Sequence, residues 1–125
     1  MPKNAIAWFE IQTTDLDRAV AFYEAILDIT MSRVNLGGDT AIFPADDDGA
    51  GGALIAPDVI HGGNAPSTTG NMIYLEVEGS LHAVLDRVPA AGGEVLLEPT
   101  DAGDYGAYAY IKDTEGNRVG LFKSA

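Results

Sequence analysis

Two glutamates, Glu10 and Glu76, lie near the ends of two similar apolar stretches, "AWFEIQ" and "MIYLEV". If both carboxylates share one apolar cleft, the pKa of one of them rises, because two buried anions repel each other and lose hydration. A carboxylate with a raised pKa could act as a general base. The same glutamates could instead pair with Arg118 or Arg33, or lie at solvent-exposed strand ends. The sequence leaves both interpretations open.

Strand alternation decides which side chains share a face with these glutamates, since successive residues of a strand point to opposite faces. The uniformly apolar sets, with Ile11, Leu75 and Val77 among them, are expected to pack under helices. Aromatic walls with a few convergent polar groups are typical of small-molecule sites. The mixed sets are therefore expected to line a ligand-binding cleft: Trp8, Glu10, Gln12, Met72, Tyr74, Glu76, Tyr108, Tyr110, Arg118 and Phe122.

A repeated pattern predicts the elements that position these residues. Apolar residues recur at the spacing of a one-sided helix in two places, and each member of the first set is followed 65 residues later by a member of the second. The two sets are Leu16, Ala19, Val20 and Tyr23, and Leu81, Val84, Leu85 and Val88. Asp15 and Ser80, at the same offset, are suitable N-caps. An apolar strand precedes each helix, which favours an internal duplication.

Three short apolar strands are predicted after each helix. They are expected near residues 29–34, 40–44 and 52–56, and near residues 94–97, 107–112 and 118–122, with glycine-rich turns between them. Each half is then β-α-β-β-β. We expect residues 1–125 to form a single domain of two repeats, about 5–56 and 70–123, joined by a linker at 57–69. The predicted fold class is α+β, with a curved eight-stranded sheet, helices on its convex face and a concave cleft.

Composition narrows the classes of partner. The chain has 125 residues, 46% of them hydrophobic, and 7 basic against 19 acidic residues give a net charge of −12. That field repels phosphate backbones and anionic lipid, so neither nucleic acid nor a membrane surface is an expected partner. The chain has no cysteine, which excludes thiolate metal sites and cysteine nucleophiles. No signal-peptide pattern or long apolar run is present, so a cytoplasmic location is expected.

Two stretches carry a family resemblance. "WFEIQTTDLDRAVAFYEAIL" resembles the opening strand and helix of the vicinal oxygen chelate superfamily, which includes glyoxalase I, extradiol dioxygenases and bleomycin resistance proteins. "YAYIKDTEGNRVGLF" resembles its closing hairpin, in a variant typical of small glyoxalase-like proteins of unassigned activity. Within that hairpin, Asp113 suits the first position of a turn and Gly116 a left-handed position. We assign the turn no chemistry.

The resemblance also implies where a metal would bind. Its metal-binding positions fall at Trp8, about Ala56, Met72 and Gly120, and none of these residues offers an imidazole or carboxylate ligand. An alignment shift of two residues could bring Glu10 or Glu76 into play. The histidines, His61 in the linker and His82 in the second helix, are expected in solvent. We therefore predict no metal and no cofactor, and Gly120 leaves the cleft floor open for another group.

Two functions of different class fit these expectations. The first is a glyoxalase- or bleomycin-resistance-like protein that binds a small, partly aromatic or apolar molecule in a metal-free cleft, with Gly120 in its floor. The second is a metal-independent lyase or isomerase that uses Glu10 or Glu76 as general base. The resemblance further implies a homodimer, with the cleft built either within one chain or across two. The sequence does not identify the ligand.

Overall fold

Eight strands and two helices follow the predicted order in the computed structural model, which describes residues 5–47, 49–57 and 66–125. The first half comprises β1 (Trp8–Gln12), α1 (Leu16–Leu27), β2 (Ser32–Asn35), β3 (Asp39–Ile42) and β4 (Gly51–Ile55). The second half comprises β5 (Tyr74–Glu76), α2 (Leu81–Arg87), β6 (Glu94–Asp101), a 3-10 turn (Gly103–Tyr105), β7 (Gly106–Lys112) and β8 (Arg118–Ser124). His61 and most of the predicted linker lie outside the described residues.

Backbone hydrogen bonds divide the strands into two sheets of four, in the orders β1-β4-β3-β2 and β5-β8-β7-β6. In each half the strand before the helix pairs in parallel with the last strand, because the helix supplies the crossover that a parallel pair requires. The predicted α+β class and the repeated β-α-β-β-β order are confirmed. The eight strands form two four-stranded sheets and not one continuous sheet. In the described part of the chain no backbone pairing joins β1 with β5.

The predicted caps begin both helices. The Asp15 carboxylate accepts a hydrogen bond from the Arg18 amide at 3.1 Å, and the Ser80 hydroxyl accepts one from the Ala83 amide at 3.2 Å. Both bonds satisfy amides that have no partner inside the helix. At the other end of α1 the Arg87 guanidinium donates to the Ile26 carbonyl at 2.8 Å. A cation is favourable there because the carbonyl end of a helix carries partial negative charge.

Some element bounds differ from the sequence expectation. Helix α2 ends at Arg87, although Val88 keeps helical dihedrals (φ −62°, ψ −49°), because Pro89 has no amide N–H with which to continue the helical hydrogen bonds. Strand β6 continues to Asp101 instead of ending at Leu97, with two irregularities in its register against β7. The first predicted strand after α1 begins at Ser32 and not at residue 29.

The apolar faces predicted for the helices and strands form the core. All eight of the repeated helix residues are buried, and so are Ile11, Leu75 and Val77 on the strands. Phe9 packs directly on Gly52, where a Cβ atom would stand 2.2 Å from its ring. Phe9 also lies 5.7 Å from the Phe43 ring, which stands 5.6 Å from Tyr23 of α1. Aromatic packing therefore helps to join the first sheet to its helix.

The closing turn, Asp113–Asn117, joins the second half to the first. The Asp113 carboxylate accepts hydrogen bonds from the Glu115 and Asn117 amides, both at 2.9 Å, and Gly116 has a φ of 95°. These contacts confirm the predicted turn geometry. The turn also reaches the first half, since the Tyr23 hydroxyl of α1 donates to Asp113 at 2.7 Å and the Asn117 side-chain amide donates to the Gln12 carbonyl of β1 at 2.7 Å. Burial and the neighbouring Asp113 raise the pKa of Tyr23 well above its usual value, so its hydroxyl remains a donor.

Glu115 is the most constrained residue of this turn, because its side chain is completely buried. Its carboxylate accepts bonds from the Thr14 and Asp15 amides, both at 2.8 Å, and from Arg18 at 2.8 Å and 3.0 Å. Hydroxyls of Thr14 and Thr114 complete the set. Burial alone would raise its pKa, but the donors from Arg18, Thr114 and the two amides outweigh burial and lower the pKa from 4.5 to about 2.

Within the described residues, neither helix is long and apolar enough to cross a membrane.

The Glu115 contacts predict a measurable loss of stability. A pKa lowered from 4.5 to about 2 corresponds to roughly 3 kcal/mol of folding free energy. Glu115→Gln should therefore lower the unfolding free energy by about that amount at neutral pH, as measured by urea denaturation. The matched control is Glu94→Gln, which removes a 60% exposed carboxylate that faces Lys112 across 3.5 Å. We expect its effect to stay within about 1 kcal/mol. Equal effects of the two changes would contradict the importance of the buried carboxylate.

The same pair of proteins predicts a pH dependence. The folded-state pKa of Glu115 lies below its unfolded value, so its contribution is complete above about pH 5 and is lost as the pH falls towards 2. The stability difference between the parent and Glu115→Gln should therefore shrink across this interval. Denaturation curves at several pH values measure it, and a difference that stays constant down to about pH 2 would refute the assignment.

Candidate functional site

The open face of the second sheet collects most of the predicted ligand-binding residues. Tyr74 lies opposite Gly120, which in turn lies opposite Tyr110. Two residues away on each strand, Glu76 lies opposite Phe122, which in turn lies opposite Tyr108. Residues directly opposite each other project to the same face. The alternate residues of these strands, including Leu75, Ala109 and Leu121, are buried on the other face, beneath the helices.

Gly120 determines how Tyr74 lies on this face. A Cβ atom at Gly120 would stand 2.3 Å from the Tyr74 ring, which is far closer than any allowed contact. The ring therefore crosses β8 through the space that a side chain would fill. Its hydroxyl reaches the Tyr110 hydroxyl at 3.2 Å, and the two ring centroids are 6.2 Å apart at an angle of 62°. The hydrogen bond shared with Tyr110, together with some burial, raises the pKa of Tyr74.

Four aromatic rings line an open pocket of about 400 Å³ on this face, which we call the aromatic site: Tyr74, Tyr108, Tyr110 and Phe122. The Tyr108 and Tyr110 rings stand 5.7 Å apart, and the Tyr74 ring remains 46% exposed. The pocket falls within the size range of small-molecule sites, and its walls are apolar apart from phenol hydroxyls. A flat, hydrophobic molecule could stack between these rings.

Arg118 stands at one side of the aromatic site. It is two residues before Gly120 on β8 and so shares its face. Its guanidinium carbon lies 5.9 Å from the centre of the Tyr110 ring, a cation–π distance. Its Nε atom is buried and has no hydrogen-bond partner among the described residues. Directly across the ladder is Lys112, whose ammonium faces Glu94.

Glu76 and Met72 lie beside the aromatic site and do not line it. The Glu76 carboxylate accepts hydrogen bonds from the Ser124 hydroxyl at 2.6 Å and the Ser124 amide at 3.0 Å. Both Glu76 and Met72 line a second, larger groove of about 1010 Å³ that follows β5 and reaches Phe9 and Phe43 of the first half. Glu76 is thus an exposed carboxylate that is already paired within its own sheet.

The remaining predicted residues belong to the first sheet. The Trp8 indole donates to the Glu10 carboxylate at 3.4 Å, and the Trp8 ring rests against Gly51. Glu10 pairs with neither Arg118 nor Arg33, since Arg33 bonds to Asp17. Trp8 and Glu10 line neither the aromatic site nor the groove along β5. The structure therefore brings the tyrosines, Phe122 and Arg118 together around Gly120 and leaves Trp8, Glu10 and Gln12 on the other sheet.

Two residues of the same open face were not predicted. Lys112 follows Tyr108 and Tyr110 at the same spacing of two, and Ser124 follows Phe122 in the same way. The alternation used for the other residues would have identified both. The closing turn is a third omission, because its inter-half contacts depend on long-range packing for which the sequence carries no local signal.

The residues at the metal positions implied by the family resemblance do not fit a divalent cation. Gly120 provides no ligand and its side-chain direction is filled by the Tyr74 ring, while Ala56 is 7% exposed and apolar. Met72 offers only a thioether. Across residues 5–47, 49–57 and 66–125, no group of three or more His, Cys, Asp or Glu residues could share a metal ion.

Solved structures share this fold. A glyoxalase/bleomycin resistance protein from Albidiferax ferrireducens T118 matches with a TM-score of 0.75 at 20% identity, covering 98% of this chain and 100% of that one. A glyoxalase/bleomycin resistance protein from Streptomyces sp. CB03234 matches with a TM-score of 0.64 at 20% identity, covering 94% of this chain and 99% of that one. At such identities the likeness establishes the fold alone.

Sequence comparison extends the likeness. The chain is 29% identical over 125 residues to "Putative glyoxylase CFP32" of Mycobacterium bovis, an alignment that covers 98% of this chain and 45% of that protein. The chain thus spans less than half the length of this curated relative. The model of one family matches residues 5–121, nearly the whole chain. The chain therefore belongs to the Glyoxalase/Bleomycin resistance protein/Dioxygenase superfamily.

Proposed function

We propose that this chain binds a small, partly aromatic molecule in the aromatic site without the help of a metal ion. The observation that carries the proposal is the Tyr74 ring lying over Gly120, which gives the site an aromatic wall where a side chain at residue 120 would stand. Four rings around about 400 Å³ supply stacking surface for a planar molecule.

The chemistry of the site supports independence from a metal. Catalysis by a bound divalent ion needs fixed oxygen or nitrogen ligands around an open coordination position. The residues at the implied positions are Trp8, Ala56, Met72 and Gly120, which supply none. The glyoxalase and dioxygenase reactions of the superfamily are therefore not part of this proposal.

The alternative of a lyase or isomerase is less well supported. A general base must lie within hydrogen-bond reach of the substrate. Glu10 accepts a bond from Trp8, Glu76 accepts two from Ser124, and both side chains are exposed on their sheets. Neither carboxylate lines the aromatic site.

A substitution at Gly120 tests the proposal. In Gly120→Ala the new methyl group would meet the Tyr74 ring at 2.3 Å, so the ring must swing away and the aromatic wall is lost. We expect the affinity for naphthamide, a neutral planar probe, to fall at least about fivefold in titration calorimetry, in keeping with the worth of one aromatic stacking contact.

The matched control for this change is Gly70→Ala, since a Cβ atom there would meet nothing closer than 3.9 Å. It should bind naphthamide like the parent protein. If the parent protein shows no binding of naphthamide or similar planar probes, the proposed function is wrong. If Gly120→Ala binds as well as the parent, the aromatic wall is not the binding surface.

The two glutamates provide a second test, which separates binding from catalysis. Because neither lines the aromatic site, Glu10→Gln and Glu76→Gln should each leave naphthamide affinity within about twofold of the parent, a difference under about 0.5 kcal/mol. A loss of tenfold or more in either variant would favour the enzyme alternative and a search for proton transfer.

We also propose that the chain forms a homodimer. Four apolar side chains of the first half support this: Ile6, Trp8, Val34 and Leu36 are between 36% and 59% exposed. Covering them against a second copy would remove apolar surface from water. Light scattering should give twice the mass of the 13.1 kDa chain, and a single-chain mass at high concentration would refute the proposal.

A further inference from the structure

We infer that the aromatic site selects planar aromatic anions, whose negative group is bound by Arg118. This inference rests on the proposed function, because it names the class of molecule that the same site accepts. The preference arises because Arg118 lies beside the aromatic site and its guanidinium has hydrogen-bond donors that the described residues do not use.

Arg118 is unusual in its lack of partners. Its guanidinium carries five N–H donors. Its side chain forms no hydrogen bond or ion pair with the described residues. It makes a cation–π contact with the Tyr110 ring, whose centre lies 5.9 Å from the guanidinium carbon. A buried donor without a partner costs stability and calls for an explanation. A bound carboxylate, which pairs with two guanidinium donors at once, would supply the missing acceptors.

The other arginines of the described chain show that acceptors are plentiful. Arg18 is bound to Glu115, Arg33 to Asp17, and Arg87 to the Ile26 carbonyl. Lys112, directly across the ladder from Arg118, faces Glu94. None of the carboxylates in the described residues pairs with Arg118, which lies beside the aromatic site. Its position is better explained by an acceptor that comes with the ligand.

The phenol hydroxyls add one further donor to the site. Tyr74 and Tyr110 share one hydrogen bond at 3.2 Å, and since each hydroxyl has one proton, the pair retains a second proton to donate outward. An anionic ligand would accept a hydrogen bond from that hydroxyl and further hydrogen bonds from Arg118. The rings hold the flat body of the ligand, and these polar groups fix which end points towards Arg118.

The net charge of −12 repels an anionic ligand, and so opposes the attraction by Arg118, but it acts from a longer distance. At about 0.15 M salt the screening length is about 8 Å, so distant carboxylates contribute little at the site. A guanidinium in contact with the ligand is not screened in this way. Local pairing should therefore decide the preference at physiological salt, while the acidic surface slows the approach of the anion.

The test compares three probes of one shape: naphthoate, its neutral amide and the cationic naphthylmethylamine. Titration calorimetry on the full chain at about 0.15 M salt should show naphthoate binding at least about tenfold more tightly than naphthamide, and the amine binding most weakly. Arg118→Gln should remove this difference by weakening naphthoate alone. Lys123→Gln is the matched control, since it removes the same charge from β8 at a position of opposite strand parity, and it should keep the preference.

Each outcome is decisive. If naphthoate and naphthamide bind the parent equally, or the amine binds best, the inference is wrong while the proposed function stands. If none of the three probes binds, the proposed function itself fails. If Arg118→Gln is misfolded by circular dichroism, the comparison of probes on the parent still decides the preference. A naphthoate preference that survives in a folded Arg118→Gln protein would overturn the role of Arg118.

Discussion

The buried carboxylate of Glu115 is the interaction on which the relation between the two halves depends. Removing a carboxylate from water is costly unless donors replace its hydration. Here the donors come from the other half of the chain: the Thr14 and Asp15 amides at the start of α1, and Arg18 one turn later. The positive end of the helix adds a favourable field. These bonds hold the closing turn against the first turn of α1.

The position of the closing turn also determines the position of the residues in the aromatic site. Strand β8 begins directly after the closing turn, so the position of the turn fixes where Arg118 starts the strand. Alternation then sends Arg118, Gly120 and Phe122 to the open face. The parallel register against β5 puts Tyr74 opposite Gly120, and the antiparallel register against β7 adds Tyr110. The strand register of the second sheet thus brings the rings together, and Gly120 leaves the space that the Tyr74 ring fills.

Gly120 shows how a shared fold can change its chemistry. The family resemblance puts a metal ligand at this position, whereas here a ring from the neighbouring strand occupies the space. An oxygen ligand would bind a cation, while a tyrosine ring offers stacking and a phenol. Folds do not fix functions, because function depends on the few side chains that the fold presents. At this one position a glycine therefore replaces a possible metal ligand with an aromatic contact.

The sequence by itself determined the repeated element order, the helix caps, the buried faces and the parity that groups Tyr74, Tyr108, Tyr110, Arg118 and Phe122. All of these follow from local periodicity and capping, which neighbouring residues encode. Only the tertiary structure decided that the strands form two ladders, that the tryptophan and glutamate of β1 lie apart from the aromatic site, and that the closing turn clamps the first helix. The contacts of the closing turn join residues about 100 positions apart, and such contacts are set by packing and charge burial rather than by any local pattern.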